Sequence, residues 1–118
     1  MVSVMEVAVY AAVLAHGTQL TCTARTDTHI ECSNGQSADI ATGDVIKFSD
    51  GVTIVRDEEG FPRFSDGTHS WWASAGWIAF SNGIQIRRMT ESRFKLSTGI
   101  ECRLRQPDTV ECAEANSN

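Results

Sequence analysis

The chain has 118 residues, 42% of them hydrophobic, and fifteen acidic against ten basic side chains give it a formal charge of -5. That length suits one domain, 1–118, with its own buried core. The acidic balance argues against a dedicated nucleic-acid binder, whose phosphate contacts need surplus Lys and Arg, and the longest apolar run, Val7 to Ala15, is too short to span a bilayer.

Residues 1–15 stand outside the pattern that governs the rest of the chain. Val2, Val4, Val7 and Val9 suit a strand, whereas Ala8, Ala11, Ala12 and Leu14 suit a helix, so periodicity leaves both open. The apolar run has the length of a secretory signal core, but no Lys or Arg precedes it and Glu6 sits where the positive flank belongs. From His16 a sixteen-residue repeat begins, with units opening at His16, Cys32, Phe48, Phe64, Phe80 and Leu96. Six units fill 16–111, and 112–118 hold a partial seventh and a polar tail, Glu114 to Asn118, expected to fray.

The repeat is marked by one phrase: Phe48-Ser49-Asp50-Gly51, Phe64-Ser65-Asp66-Gly67, Phe80-Ser81-Asn82-Gly83, Leu96-Ser97-Thr98-Gly99 and Cys32-Ser33-Asn34-Gly35. A fixed period means one repeated supersecondary unit. Apolar residues such as Val52, Ile54, Ile78, Ile84, Ile86 and Phe94 fall on odd slots, the alternation of half-buried strands. Each unit therefore holds two short strands and two tight turns. The first turn, centred on Asn34, Asp50, Asp66, Asn82 or Thr98, fits a type I turn closed by a left-handed Gly. The second has the same form in Glu58-Glu59-Gly60 and Ser74-Ala75-Gly76, while Asp44, Ser92, Thr28 and Asp108 replace Gly elsewhere.

A three-residue loop pairs odd slots with odd slots and keeps the apolar set on one face. The expected fold is an all-β antiparallel up-and-down meander of tandem hairpins, rolled or closed into a barrel-like sheet. Its rival is a β-solenoid with one repeat per coil. In either case the apolar face needs a cover, from closure, folding over, the N-terminal segment or a second chain. Pro62, inside a strand slot, marks an edge, a bulge or a break. Pro107 marks a shifted last loop.

The meander register sets Cys22 opposite Cys32 and Cys102 opposite Cys112, all on the apolar face. Three readings fit: small buried thiols, two hairpin disulfides, or a four-thiolate zinc site requiring the two ends of the array to meet. The spacing lacks the short Cys-x-x-Cys signature, so no metal or cofactor is assigned.

Aromatic and basic residues make the best candidate surface. Trp72 has core parity, whereas Trp71, Trp77 and Phe61 fall on even slots and point to the other face. The register pairs Phe61 with Trp71, Trp77 with Arg87, Arg87 with Lys95 and Arg93 with Arg103. Exposed aromatics rimmed by Arg and Lys are common to protein interfaces, sugar-stacking surfaces and single-strand binders. The bland counterpart is core or dimer packing. His16, His29 and His69 share no metal-ligand spacing, and Asp57, Glu58 and Glu59 read as a solvated hairpin tip. No phosphate loop, nucleophile elbow or His-Glu-x-x-His is present.

The expectation is a small non-catalytic binding or inhibitory module acting through a protein–protein interface, with another protein or a second copy as partner. Small stoichiometric inhibitors, such as those phages use against bacterial defence systems, share this profile by analogy. The alternative is an envelope carbohydrate-binding module that stacks sugars on Trp71 and Trp77. A thiol-dependent enzyme ranks third. Free thiols fit the cytoplasm and disulfides a secreted or envelope location.

Overall fold

A computed structural model describes residues 2–114. One helix, α1 (Val4–Leu14), precedes twelve strands: β1 (Leu20–Ala24), β2 (His29–Cys32), β3 (Ser37–Ala41), β4 (Val45–Phe48), β5 (Thr53–Arg56), β6 (Pro62–Phe64), β7 (Ser70–Trp72), β8 (Trp77–Phe80), β9 (Gln85–Thr90), β10 (Arg93–Leu96), β11 (Ile100–Gln106) and β12 (Thr109–Glu114). All belong to one sheet of order β6-β5-β4-β3-β2-β1-β12-β11-β10-β9-β8-β7. Every pairing is antiparallel, which establishes the meander and excludes the solenoid. First and last strands join through Leu20 opposite Cys112 and Cys22 opposite Val110, rolling the sheet into a nearly closed barrel. The remaining opening is a seam between β6 and β7, neighbours in sequence that share no ladder.

The recurring phrase works as a three-part device. Gly35, Gly51, Gly67, Gly83 and Gly99 all have φ between 94° and 97°, where a Cβ is penalised. The Asx side chain receives the N–H two residues on: Asn34 Oδ1 accepts from Gln36, Asp50 from Val52, Asp66 from Thr68 and Asn82 from Ile84. The Ser hydroxyl accepts an N–H at the start of the preceding hairpin's first strand, twelve residues back, in Thr21–Ser33, Ser37–Ser49, Thr53–Ser65, His69–Ser81 and Gln85–Ser97. Each phrase thus closes one hairpin and caps the ladder of another. The Ser74-Ala75-Gly76 tip differs from expectation: Ala75 and Gly76 both have positive φ, 58° and 84°, and Trp77 N–H bonds to Ser74 O, the signature of a type I′ turn.

Both prolines occupy irregular places. Pro62 lies on the edge strand β6 beside the seam, where a missing donor breaks no ladder with β7. At Pro107 the β11–β12 register slips between Leu104 opposite Val110 and Gln106 opposite Thr109.

The ambiguous N-terminal segment is the helix, and it lies inside the barrel against one part of its wall. Ser3 caps it, accepting the Glu6 N–H at 3.2 Å. Met5 and every residue from Val7 to Val13 are buried, so α1 is apolar around almost its whole circumference, as a helix inside a barrel must be, with Glu6 in the first turn its one charged residue. Its end is a Schellman motif: His16 N–H bonds to Val13 O and Gly17 N–H to Ala12 O, with His16 and Gly17 at φ 58° and 75°. His16 therefore ends a helix; it does not open a hairpin turn of the repeat. Two phrases hold this end in place, Asn82 Nδ2 donating to Val13 O at 2.9 Å and Thr98 Oγ1 to Gly17 O at 2.8 Å.

The helix packs against β11, β12, β1 and β2, the strands that carry the cysteines. Cys22–Cys32 and Cys102–Cys112 stand at disulfide distance, S–S 2.02 and 2.04 Å, and flank the β1–β12 closure. The array's ends do meet, yet the sulfurs pair two by two and do not gather as four thiolates around a centre. Among the described residues no helix is long and apolar enough to cross a membrane. The tail beyond Glu114 lies outside the described residues.

Candidate functional site

Alternation on β7 and β8 sends Trp71 and Trp77 outward on the same face. Trp71 pairs with Ala79, and Trp77 with Arg87, which pairs in turn with Lys95 and then Glu101. Trp71 is 45% exposed and tilts against the His69 ring at 5.5 Å; Trp77 is half-buried. Ala79 occupies an outward slot between Trp71 and Gln85 and is nonetheless only 5% exposed. A shallow groove of about 330 Å³ runs beside Trp77, Gln85 and Lys95 along the Leu96–Gly99 turn.

The basic rim divides in two. Arg93 faces Arg103 across the β10–β11 ladder, and both turn towards Glu101. Arg103 Nη2 donates to Glu101 Oε1 at 2.9 Å, while Arg93 Nε stands 3.6 Å from the same oxygen without a hydrogen bond. A neighbouring pair, Arg105–Glu111, closes at 2.9 Å. Arg93 and Arg103 are thus matched by a carboxylate. Arg87 and Lys95 have no carboxylate within ion-pair distance among the described residues, which leaves them as the cationic part of the Trp71–Trp77 surface.

Two aromatic assignments are corrected. Phe61 is not opposite Trp71, because β6 and β7 do not pair. It sits before β6, in a loop bent by Asp57, whose Oδ1 accepts the N–H groups of Glu59 and Phe61 at 2.9 Å while Oδ2 takes Arg63 Nε at 2.9 Å. The Phe61 N–H, aided by Arg63, holds the Asp57 carboxyl below its usual range. Asp57 is therefore a loop anchor and not a merely solvated charge. Trp72 has inward parity, opposite Ile78, but is 63% exposed. Its strand borders the seam, and its ring meets Phe61 edge to face with centroids 5.8 Å apart. Core packing ends below it.

The histidines are surface elements. His29 Nδ1 lies 2.8 Å from Asp39 Oδ1 and Nε2 lies 3.3 Å from Glu31 Oε2, and these two carboxylates raise its pKa. Among the described residues no group of three or more His, Cys, Asp or Glu is arranged to hold a metal. Burial pushes the Tyr10 hydroxyl up to about 12; it donates to Glu6 Oε2 at 3.3 Å.

The chain matches no known family model, no curated protein and no solved structure.

Proposed function

We propose that the chain is a non-catalytic binding module that acts by occupying the surface of another protein, in the manner of a stoichiometric inhibitor. The observation that supports this reading is the row Trp77, Arg87 and Lys95 across β8–β10, with Trp71 beside it on the same outer face. Aromatic side chains flanked by unmatched cations are favoured anchors of protein interfaces. These side chains lie on the outer face of the sheet, whereas the cysteine pairs and the helix are buried on its inner face, so a partner seated there leaves the core intact. A second copy of the chain is a candidate occupant of the same face.

The second reading is a carbohydrate-binding module, with Trp71 and Trp77 as stacking platforms. The two cysteine pairs at bonding distance favour it, because such pairs persist in oxidising compartments outside the cytoplasm.

Affinity capture with the tagged chain, read by mass spectrometry and run in parallel with a glycan array, separates the two. A protein captured by wild type and lost with Trp77→Ala supports the first reading. Saturable glycan binding, lost in Trp71→Ala, replaces it with the second. Sedimentation of the chain alone reports the homodimer.

A further inference from the structure

The barrel interior is unevenly filled. Because α1 lies against β11, β12, β1 and β2, side chains on that wall, Cys22, Cys102 and Val110 among them, are fully buried. Beyond that wall, on β10 and towards the seam on β8 and β7, Phe94 and Ile78 point inward yet stay half-exposed, and Trp72 is mostly exposed. Between them lies a cavity of about 490 Å³, open at the helix N-terminal end and bordered by the β6–β7 seam. Its floor includes the rings of Tyr10 and Phe80, joined behind the lining by Phe64, which meets Tyr10 at 5.9 Å and Phe80 at 5.7 Å, both edge to face. Its entrance is the Phe61–Trp72 pair.

We infer that this cavity is a binding site for a small, uncharged, predominantly apolar molecule carrying an aromatic ring. The volume falls within the range of ligand cavities, and a few polar groups on an apolar wall are their usual composition. Rings at floor and entrance offer edges and faces to a planar guest. The charge state follows from the rim. Arg56 is ion-paired with Glu6 and donates to Gly60 O, and Arg88 lies 3.6 Å from Glu91, so neither guanidinium awaits an anionic head. The seam gives a way in: besides the Phe61–Trp72 ring contact, Ser70 Oγ donates across it to Pro62 O at 3.3 Å, and among the described residues there is no ladder bond to break. This site is separate from the outer face and does not depend on the reading given for it.

The test is an NMR titration of the whole chain, following backbone amides and tryptophan indole N–H signals, with indole as the neutral probe and indole-3-acetate and tryptamine as its charged counterparts. Saturable shifts are expected at Trp72, Phe61, Val9 and Ile86, with Trp71 and Trp77 unmoved. Indole should bind at least about fivefold more tightly than either charged probe, since both must shed water to enter an apolar site where the anion meets only ion-paired guanidiniums and the cation only the solvent-exposed Glu59 carboxylate at the rim. Ile78→Trp, which fills the cavity, should weaken binding at least about tenfold. If that variant fails to fold, Trp72→Ala takes its place, with an expected loss of at least about threefold. The inference is overturned by absence of saturable shifts, by shifts centred on Trp71 or Trp77, by tighter binding of a charged probe, or by unchanged affinity in the variants. Shifts at the cavity that grow with protein concentration alone would assign it to a second copy, which also overturns it.

Discussion

Phe61 and Trp72 touch edge to face across a seam at which the strands that bring them together share no hydrogen-bonded ladder. Side chains bridge the single break in an otherwise continuous sheet, and the exposed half of the pair forms the mouth of the interior. Trp72→Ala should therefore cost only about 1 kcal/mol, since a half-exposed ring loses little burial. Phe80→Ala, at 2% exposure one layer below, should cost about 3–5 kcal/mol through the cavity it leaves. Urea unfolding of the two variants checks the order.

The helix end is held by a contact that excludes a side chain. A Cβ on Gly17 would lie 2.5 Å from Thr98 Cγ2 at a φ of +75°, so Gly17→Ala must displace the hydroxyl that bonds Gly17 O. At Gly51, with φ +97° and open space around it, alanine meets only the backbone penalty of about 1–2 kcal/mol. Gly17→Ala should exceed that by about 1 kcal/mol or more. Equal unfolding midpoints would show that the Thr98 latch contributes nothing.

Each cysteine pair spans a sequence separation of 10. Loop closure of that size stabilises by about 2–3 kcal/mol in the chain-entropy treatment. The double replacement Cys22→Ala with Cys32→Ala should lower unfolding free energy by about that amount, and reduction, which opens both pairs, by about twice as much, each preserving the far-ultraviolet spectrum. Mass spectrometry with and without reductant reads the bonds directly.

His29 carries the clearest pH signature. Its contacts with Asp39 and then Glu31 raise its pKa above the ordinary 6.5. The sign follows: the contribution to stability is full below 6.5 and is lost as pH rises through the raised value. An NMR titration of the ring should give a midpoint above 6.5, falling back in Asp39→Asn. An unchanged midpoint in that variant would contradict the pairing.

Much of this was legible in the residues because each signal was local. Gly51, Gly67 and Gly83 announce left-handed turn positions, and slot parity, odd with odd and even with even, set Cys22 against Cys32 and Trp77 against Arg87, as the ladders show. The helix was less legible, since Val4–Leu14 is apolar apart from Glu6 and Tyr10 and has no continuous polar face to define a period. The usable signal was the Ser3-x-x-Glu6 spacing, a capping pattern ahead of an apolar run. The seam was hidden too. Pro62 indicates an edge, but only the closure of β1 on β12 determines that the edge faces β7, and with it the positions of Phe61 and Trp72. Parity is silent on where packing stops, which is why Trp72 has an inward slot and an exposed ring.

The central claim is that partner recognition belongs to the outer face and that Trp72, one residue from Trp71, takes no part in it. The direct measurement is the affinity of the captured partner for wild type, Trp77→Ala and Trp72→Ala, each shown by circular dichroism to be folded. Trp77→Ala should lose about 2 kcal/mol or more, roughly thirtyfold, as truncation of an aromatic anchor does, whereas Trp72→Ala should stay within about twofold of wild type. An undiminished affinity in Trp77→Ala, or an equal loss in Trp72→Ala, would contradict the assignment of binding to that face.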